Sequence, residues 1–337
     1  MYPPIFVLGA PRSGTTLTAK ILGKHSKIFM PGETHFFEDI YSRRKELGEH
    51  IDTRASEKIL ERLSTIYGRT NEPADQNRVS HLFSDHQNVA SLVASWKTYK
   101  DVITSFMELQ MQHEGKSRWG NQVPRDIFNY KDILNFFPDV KIIVCIRDAR
   151  DFLLSYKNKW RITSPDNVES LRKLYHPVVT SLLWKSSMRL IPVLKKAVNH
   201  DNLLILYYEE LVGHPKITVK KICCFIDEDF EPGMLNVDNP NSSHNVRQNG
   251  IFATSVNRWK KELPPEDAFL SQIILKKELE RHGYKIENIK INYFHLIKKM
   301  LSFPYVLIRG INSRRGSHGP LLPYLARRAG ALIFKTE

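Results

Sequence analysis

Cysteine is scarce. The 337 residues hold three: Cys145 inside an apolar run, and the adjacent pair Cys223–Cys224. An odd count without framework spacing argues against a disulfide scaffold and predicts reduced thiols in a cytosolic compartment. No Cys/His cluster has zinc spacing, so no structural metal is expected. No stretch approaches 18 uninterrupted apolar residues, so no transmembrane helix is expected. The start, MYPPIFVLGAP, lacks the basic opening and long apolar segment of a signal peptide. Repeats and low-complexity tracts are missing as well. These absences predict a cytoplasmic protein, soluble or peripheral to a membrane, whose 42% hydrophobic residues suffice for one large domain or two smaller ones.

Charge is plentiful but uneven. Lys and Arg number 50 against 36 Asp and Glu, a net +14. From Lys285 to Glu337 there are ten Lys/Arg and two Asp/Glu, so +8 of the excess lies there and +6 in the body before it. Binding of a small anion accounts for the body. No RNP motif, zinc finger or helix-turn-helix pattern accompanies the basic balance, so nucleic acid is not an expected partner.

Ile5–Leu8 reads as a short buried strand, and Thr15–Lys24, with Leu17, Ile21 and Leu22 at helical spacing, as a helix. Lys27–Met30 is a second short apolar segment, closed by Pro31-Gly32. Glu38–Glu114 is polar with helical periodicity, as in Ser56–Tyr67. Lys141–Ile146 (KIIVCI) is the strongest central-strand candidate, followed by a helix over Asp151–Lys159. Leu203–Tyr207 is a further strand, with the segment YEELVGHP and a helix over Lys216–Phe225 after it. Strands alternating with helices predict an open parallel α/β sheet that binds ligands beyond the strands' carboxyl ends.

Between the first strand and helix lies GAPRSGTTL, Gly9–Leu17. Gly9, Gly14 and Thr16 keep the spacing of a nucleotide-triphosphate loop, but Thr15 stands where its lysine belongs. Glycines at 9 and 14 let backbone approach an oxyanion, and the helix starting at Thr15 and Thr16 aims its amides there. Arg12 and the hydroxyls of Ser13, Thr15 and Thr16 add donors. A turn chosen only for packing fits the same residues. In IRDARDFLLSYKNKW, Arg147 ends a strand and Ser155 follows eight residues later on the helix, so both can reach a second phosphate. Alone, Arg-Asp before a helix is ordinary.

Together these elements resemble the PAPS-dependent sulfotransferases, in the branch that includes bacterial and tyrosylprotein enzymes. PRSGTTL (Pro11–Leu17) is similar to the family's 5′-phosphosulfate loop. Arg147 and Ser155 match its 3′-phosphate ligands, with Ala149 where Arg-Asp-Pro-Arg-Asp has proline. YEEL at Tyr208–Leu211 resembles the tyrosine-bearing segment near the nucleotide. NRWKKEL at Asn257–Leu263, through Arg258, resembles the element closing over the adenosine and 3′-phosphate. The resemblance implies a P-loop-like three-layer α/β fold with a central parallel sheet and helical insertions. Residues 1–285 form its domain, and 286–337 a basic amphipathic extension. It also implies PAPS (3′-phosphoadenosine 5′-phosphosulfate) as donor and PAP as product, held without metal by Arg12, Ser13, Gly14, Thr15, Thr16, Leu17, Arg147, Ser155, Tyr208 and Arg258. A lysine-free loop then serves a phosphosulfate in place of a magnesium triphosphate.

The resemblance marks Glu33, in Pro31-Gly32-Glu33-Thr34-His35, as the base for an acceptor hydroxyl, with Arg12 stabilising the leaving group. His35 is an alternative base, an orienting residue or a packing residue. Where the family shows Trp-Gly-x-Lys-Thr-Pro, this chain has Trp119-Gly120-Asn121-Gln122-Val123-Pro124. Gln122 loses a full charge at the transferring group, which leaves a substitute cation such as Arg125, a slow enzyme or a different acceptor as readings.

The extension contains NYFHLIKKMLSFPYVLIRGI, a basic link at Ser313–Gly319 and the apolar Pro323–Lys335. It reads equally as an interfacial appendage touching lipid or as a helix pair docked on the domain. The acceptor expected with it is a glycan or glycolipid hydroxyl, with small-molecule and peptidyl acceptors open. A P-loop kinase or NTPase with an atypical loop, and a non-catalytic anion-, nucleotide- or nucleic-acid-binding protein, are the rival functions. Trp160, Tyr175, Trp184 and His176 read as core residues, and Cys223–Cys224 as buried helix packing.

Overall fold

The computed structural model describes residues 2–67, 86–158, 175–238, 250–313 and 321–333. Five strands form one sheet: β1 (Ile5–Gly9), β2 (Ile28–Phe29), β3 (Arg118–Gln122), β4 (Lys141–Ile146) and β5 (Leu203–Tyr207), in the order β2-β3-β1-β4-β5. All pairs are parallel. The register sets Val7 beside Gln122, Gly9 beside Cys145 and Cys145 beside Leu206. The loops leaving β1, β4 and β5 therefore emerge side by side at one edge.

Alternation along β1 and β4 builds two cores. Phe6, Leu8, Ile142 and Val144 face one side, where they join Phe36, Phe37, Trp119 and Trp184. Ile5, Val7, Ile143 and Cys145 face the other, packed on Leu17, Ile21 and Leu22 of helix α1 (Thr15–Gly23). The first core is roofed by α2 (Thr53–Tyr67), α3 (Tyr99–His113), α4 (Ala149–Lys157), α5 (Pro177–Met188) and α8 (Pro265–Arg281). The second is closed by α6 (Tyr208–Gly213) and α7 (Pro215–Phe225). This is the three-layer arrangement expected of near-continuous apolar parallel strands.

Most strands match the sequence reading, but β3 does not appear in it. RWGNQ carries no apolar run, yet all five residues are buried. Arg118 donates Nε to the Pro3 carbonyl at 2.8 Å and Nη1 to the Ile226 carbonyl, with Glu228 3.6 Å away. Paired this way, a cation is tolerated inside a sheet. Helix α4 begins at Ala149, two residues before the expected Asp151, because the Asp148 carboxylate caps it through the Arg150 amide at 2.8 Å. Its expected end, Lys159, lies outside the described residues, as does Trp160. YEELVG is itself helical as α6.

Two helices close the chain: α9 (Tyr293–Ser313) and α10 (Leu321–Ile333). α10 docks on α5, where buried Arg328 donates Nη1 to the Leu183 carbonyl (3.1 Å) and Ser186 Oγ (2.8 Å). α9 touches the body through the Lys299 carbonyl, 3.0 Å from His176 Nε2, and through Phe303 against the His176 ring. Among the described residues no helix is long and apolar enough to cross a membrane.

Candidate active site

The loop after β1 depends on two glycines. Gly9 (φ 145°) lies so close to β4 that a Cβ would drive into the Cys145 carbonyl oxygen. Gly14 (φ 93°) is the N-cap of α1, where a Cβ would meet the Tyr208 ring at 2.6 Å. Only glycine takes such backbone without strain. Arg12, between them, has φ 70°, the sparsely populated region that concentrates at binding sites. Thr18 locks the turn by donating its amide (2.9 Å) and hydroxyl (3.1 Å) to the Gly14 carbonyl. Thr15 is buried at the helix start and Thr16 is exposed on its first turn. Leu17 turns into the core, which leaves only its backbone amide for a ligand. Ser13 Oγ is buried without a hydrogen-bond partner among the described residues.

The loop after β4 is laced to this one. Arg147 donates Nη1 to the Arg12 carbonyl at 3.3 Å and Nη2 to the Ser255 carbonyl at 2.8 Å. Its guanidinium lies 4.5 Å over the Tyr208 ring. Ser155 Oγ accepts from Arg12 Nε at 3.2 Å. Burial, then the charge of Arg147, lowers the Arg12 pKa, while Glu33 opposes both. A cavity at this junction is lined by Arg147, Asp151, Ser155, Asn158, Ser255 and Arg258. The Nε of Arg147 is buried there without a hydrogen-bond partner among the described residues. Two buried donors short of acceptors, beside three guanidiniums, fit an oxyanion ligand.

Asp151 carries a role the sequence reading lacked. Its carboxylate accepts the Asn257 amide at 2.7 Å and the Trp259 amide at 2.9 Å, fixing the segment that bears Arg258. Burial nonetheless raises this carboxyl to about 6. Arg258 pairs with Glu262 at 2.7 Å, and the buried Trp259 ring carries Arg150 4.1 Å above it. Tyr208 is buried; it props Gly14 and Arg147 and offers little surface to a ligand.

Glu33 follows β2 and is partly exposed. His35, in left-handed backbone (φ 50°) before a π-helical turn, bridges two carboxylates. Its Nε2 is 3.3 Å from Glu33 Oε2 and its Nδ1 3.4 Å from Glu38 Oε2. Arg125 Nη1 holds the other oxygen of Glu38 at 3.2 Å. Behind them is the fully buried Asp126, whose carboxyl burial pushes up to about 7 against the hydrogen bond from Asn129. Gln122 donates Nε2 to Thr15 Oγ1 at 3.3 Å, so the residue in the lysine's place touches the loop. Arg125, the substitute cation the sequence offered, pairs with Glu38.

The aromatic and sulfur residues fill structural places. Trp184 is core and donates its indole N–H to the Arg147 carbonyl at 3.0 Å. Tyr175 donates to Asp267, and His176 caps α5 by accepting the Val178 amide. Cys223 is buried, but its neighbour Cys224 is exposed, because consecutive helical positions point about 100° apart.

A family model described as the sulfotransferase family matches residues 3–232. A Caenorhabditis elegans protein-tyrosine sulfotransferase A is 27% identical over 243 residues, covering 69% of this chain and 52% of that protein. The Drosophila melanogaster protein-tyrosine sulfotransferase is 24% identical over 236 residues, covering 69% and 40%. The chain thus spans about half or less of the length of these relatives. The fold is similar to that of the sulfotransferase domain from the Synechococcus PCC 7002 olefin synthase. Their TM-score is 0.55 at 23% identity, covering 85% of this chain and 98% of that domain.

Proposed function

The chain belongs to the sulfotransferase family, and from that membership we propose that it moves a sulfuryl group from PAPS to an acceptor hydroxyl, releasing PAP. The observation that carries this reading is the lacing of the two loops: Arg147 donates to the Arg12 carbonyl, and Arg12 to Ser155. A ligand with anionic groups at both ends of one nucleoside fits that pair, and a magnesium triphosphate has no lysine to meet it.

Transfer is in line: the acceptor oxygen bonds to sulfur as the bond from sulfur to the bridging phosphate oxygen breaks. Arg12 and the amides from Gly14 to Leu17 take up charge on the departing phosphate. Arg147, Ser155 and Arg258 hold the 3′-phosphate, with Asp151 keeping Arg258 in position. Glu33 receives the acceptor's proton late, and His35 fixes its carboxylate. Gln122 supplies a hydrogen bond where the family's lysine supplies charge, so the loop arginine carries more of the stabilisation.

The acceptor in this reading is a glycan or glycolipid hydroxyl met in the cytoplasm near a membrane, a choice supported by the basic C-terminal helices. A peptidyl tyrosine is the second reading, favoured by the two protein-tyrosine sulfotransferase relatives. Thermal unfolding tests the donor site. Adenosine 3′,5′-bisphosphate at about 100 times its dissociation constant should add roughly 2.7 kcal/mol of stability, with little effect from ADP or magnesium-ATP. Stabilisation by magnesium-ATP alone would return the kinase reading. No shift with any of the three would leave a degenerate site or a binding protein.

A further inference from the structure

Helix α9 is divided by its own periodicity. Leu296, Lys299, Phe303 and Val306 recur as a row every three or four residues and are half-buried, as is Arg309. They lie on the side where Lys299 pairs with Asp267 and Phe303 meets His176. Away from that row, Tyr293, Phe294, Ile297, Leu301, Tyr305 and Ile308 are each more than half exposed. At about 100° per residue these six fall within an arc of roughly 120° that contains no charged side chain. Lys298 and Arg309 border the arc on one side. So many large apolar groups on one turn-by-turn stripe exceed the scattered exposure normal for a protein surface.

Charge selects the occupant. From Asn288 to Thr336 the chain has nine Lys/Arg and no Asp or Glu. Two copies packed face to face would bring the Lys298 and Arg309 rows together, with no carboxylate in the segment to neutralise them. An anionic lipid surface meets both requirements: acyl chains for the apolar arc and headgroup charge for its border. Tyrosines at positions 293 and 305 suit the boundary between the two. The inward row fixes which side of the body is presented. We propose that α9 lies in the headgroup region of an anionic membrane, apolar arc inward, and holds the protein against it.

A lipid-linked acceptor leans on this surface, but the surface stands without it, because vesicle binding is read with neither nucleotide nor acceptor. The full chain is sedimented with vesicles of phosphatidylcholine, with and without phosphatidylserine. The protein should pellet only with the anionic vesicles, and Ile297→Asp combined with Leu301→Asp should lower the bound fraction at least tenfold. Because both positions are exposed, the unfolding temperature and its shift with adenosine 3′,5′-bisphosphate should not change. Lys298→Glu with Arg309→Glu leaves the arc intact and should lower binding by a similar factor, about fivefold for each cation removed from the surface. Wild-type protein left in the supernatant would overturn the proposal, as would undiminished binding by both variants. So would a dimer in sedimentation velocity that the apolar-arc variant dissolves, since the arc would then be a seam between copies.

Discussion

The two flanks of the sheet's carboxyl edge are built in opposite ways. On the donor flank the two loop guanidiniums, Arg12 and Arg147, reach backbone carbonyls and a hydroxyl: Arg12 O, Ser255 O and Ser155 Oγ. On the base flank the charged groups are carboxylates, and they are held through side chains that titrate or carry charge: Glu33 to His35, His35 to Glu38, Glu38 to Arg125. A carbonyl does not change charge with pH, so the lacing of Arg12 to Arg147 is insensitive to it, whereas the segment bearing Arg258 hangs on Asp151, a carboxyl that burial raises to about 6. Behind the base flank lies Asp126, a buried carboxyl raised to about 7. Affinity and turnover should therefore part company when either flank is altered.

The largest separation should come from Glu33→Gln. Loss of a general base removes about 10²–10⁴ of the rate, while the dissociation constant for adenosine 3′,5′-bisphosphate stays put. Loss of both together would tie Glu33 to the donor flank and dissolve the contrast.

Next is Asp126→Asn, read through pH. A carboxyl whose folded pKa, about 7, lies above its unfolded value binds its proton more tightly in the folded state. That contribution is full below the unfolded pKa and is lost as pH rises through about 7, on the order of 4 kcal/mol at most. Glu38, His35 and Arg125 surround this group, and Asn129 donates to it. The variant should flatten the stability profile from pH 4 to 7 in urea titrations and be the more stable protein at pH 8. Parallel profiles for both proteins would remove the titrating element from the base flank.

Arg147→Ala should act first on affinity. A hydrogen bond to a charged group contributes about 1.5–3 kcal/mol, or roughly 10- to 150-fold. Calorimetry should show that loss for adenosine 3′,5′-bisphosphate and a much smaller one for ADP. Equal losses for the two ligands would move the second phosphate elsewhere. Smallest is Gly14→Ala, where φ 93° and the nearby Tyr208 ring resist a Cβ. Strain of about 1–3 kcal/mol should appear in urea unfolding, with no pH dependence.

How much of this was legible in the sequence follows from where the partners lie. β1, β4 and β5 are apolar runs bounded by turn residues, and the glycine loop announces its own backbone, so both were readable from local sequence. β3 was not, because Arg118, Gly120 and Asn121 suit a strand only once Ile226, Glu228, Ile5 and Thr34 are beside them. The lacing of Arg12 to Ser155 joins residues 143 positions apart, and Gln122 meets Thr15 across 107. Glu33 was marked by resemblance and Arg125 offered as a substitute cation, but Glu38 looks like an ordinary surface charge until the fold brings it between His35 and Arg125. Asp151 was legible as a residue of the motif and not as the anchor of Asn257 and Trp259.

The peptide between Arg12 and Ser13 has a consequence of its own. Its carbonyl is held by Arg147, while the side chain on the same residue is held by Ser155. If the proposed donor binds there, whatever seats at one of its ends acts on the mould for the other. Reciprocity then requires that any increment a 3′-phosphate gives to retention of the 5′ group be returned in equal measure. Discrimination among nucleotides belongs to that shared increment, a cooperativity within a single ligand, and no one arginine owns it.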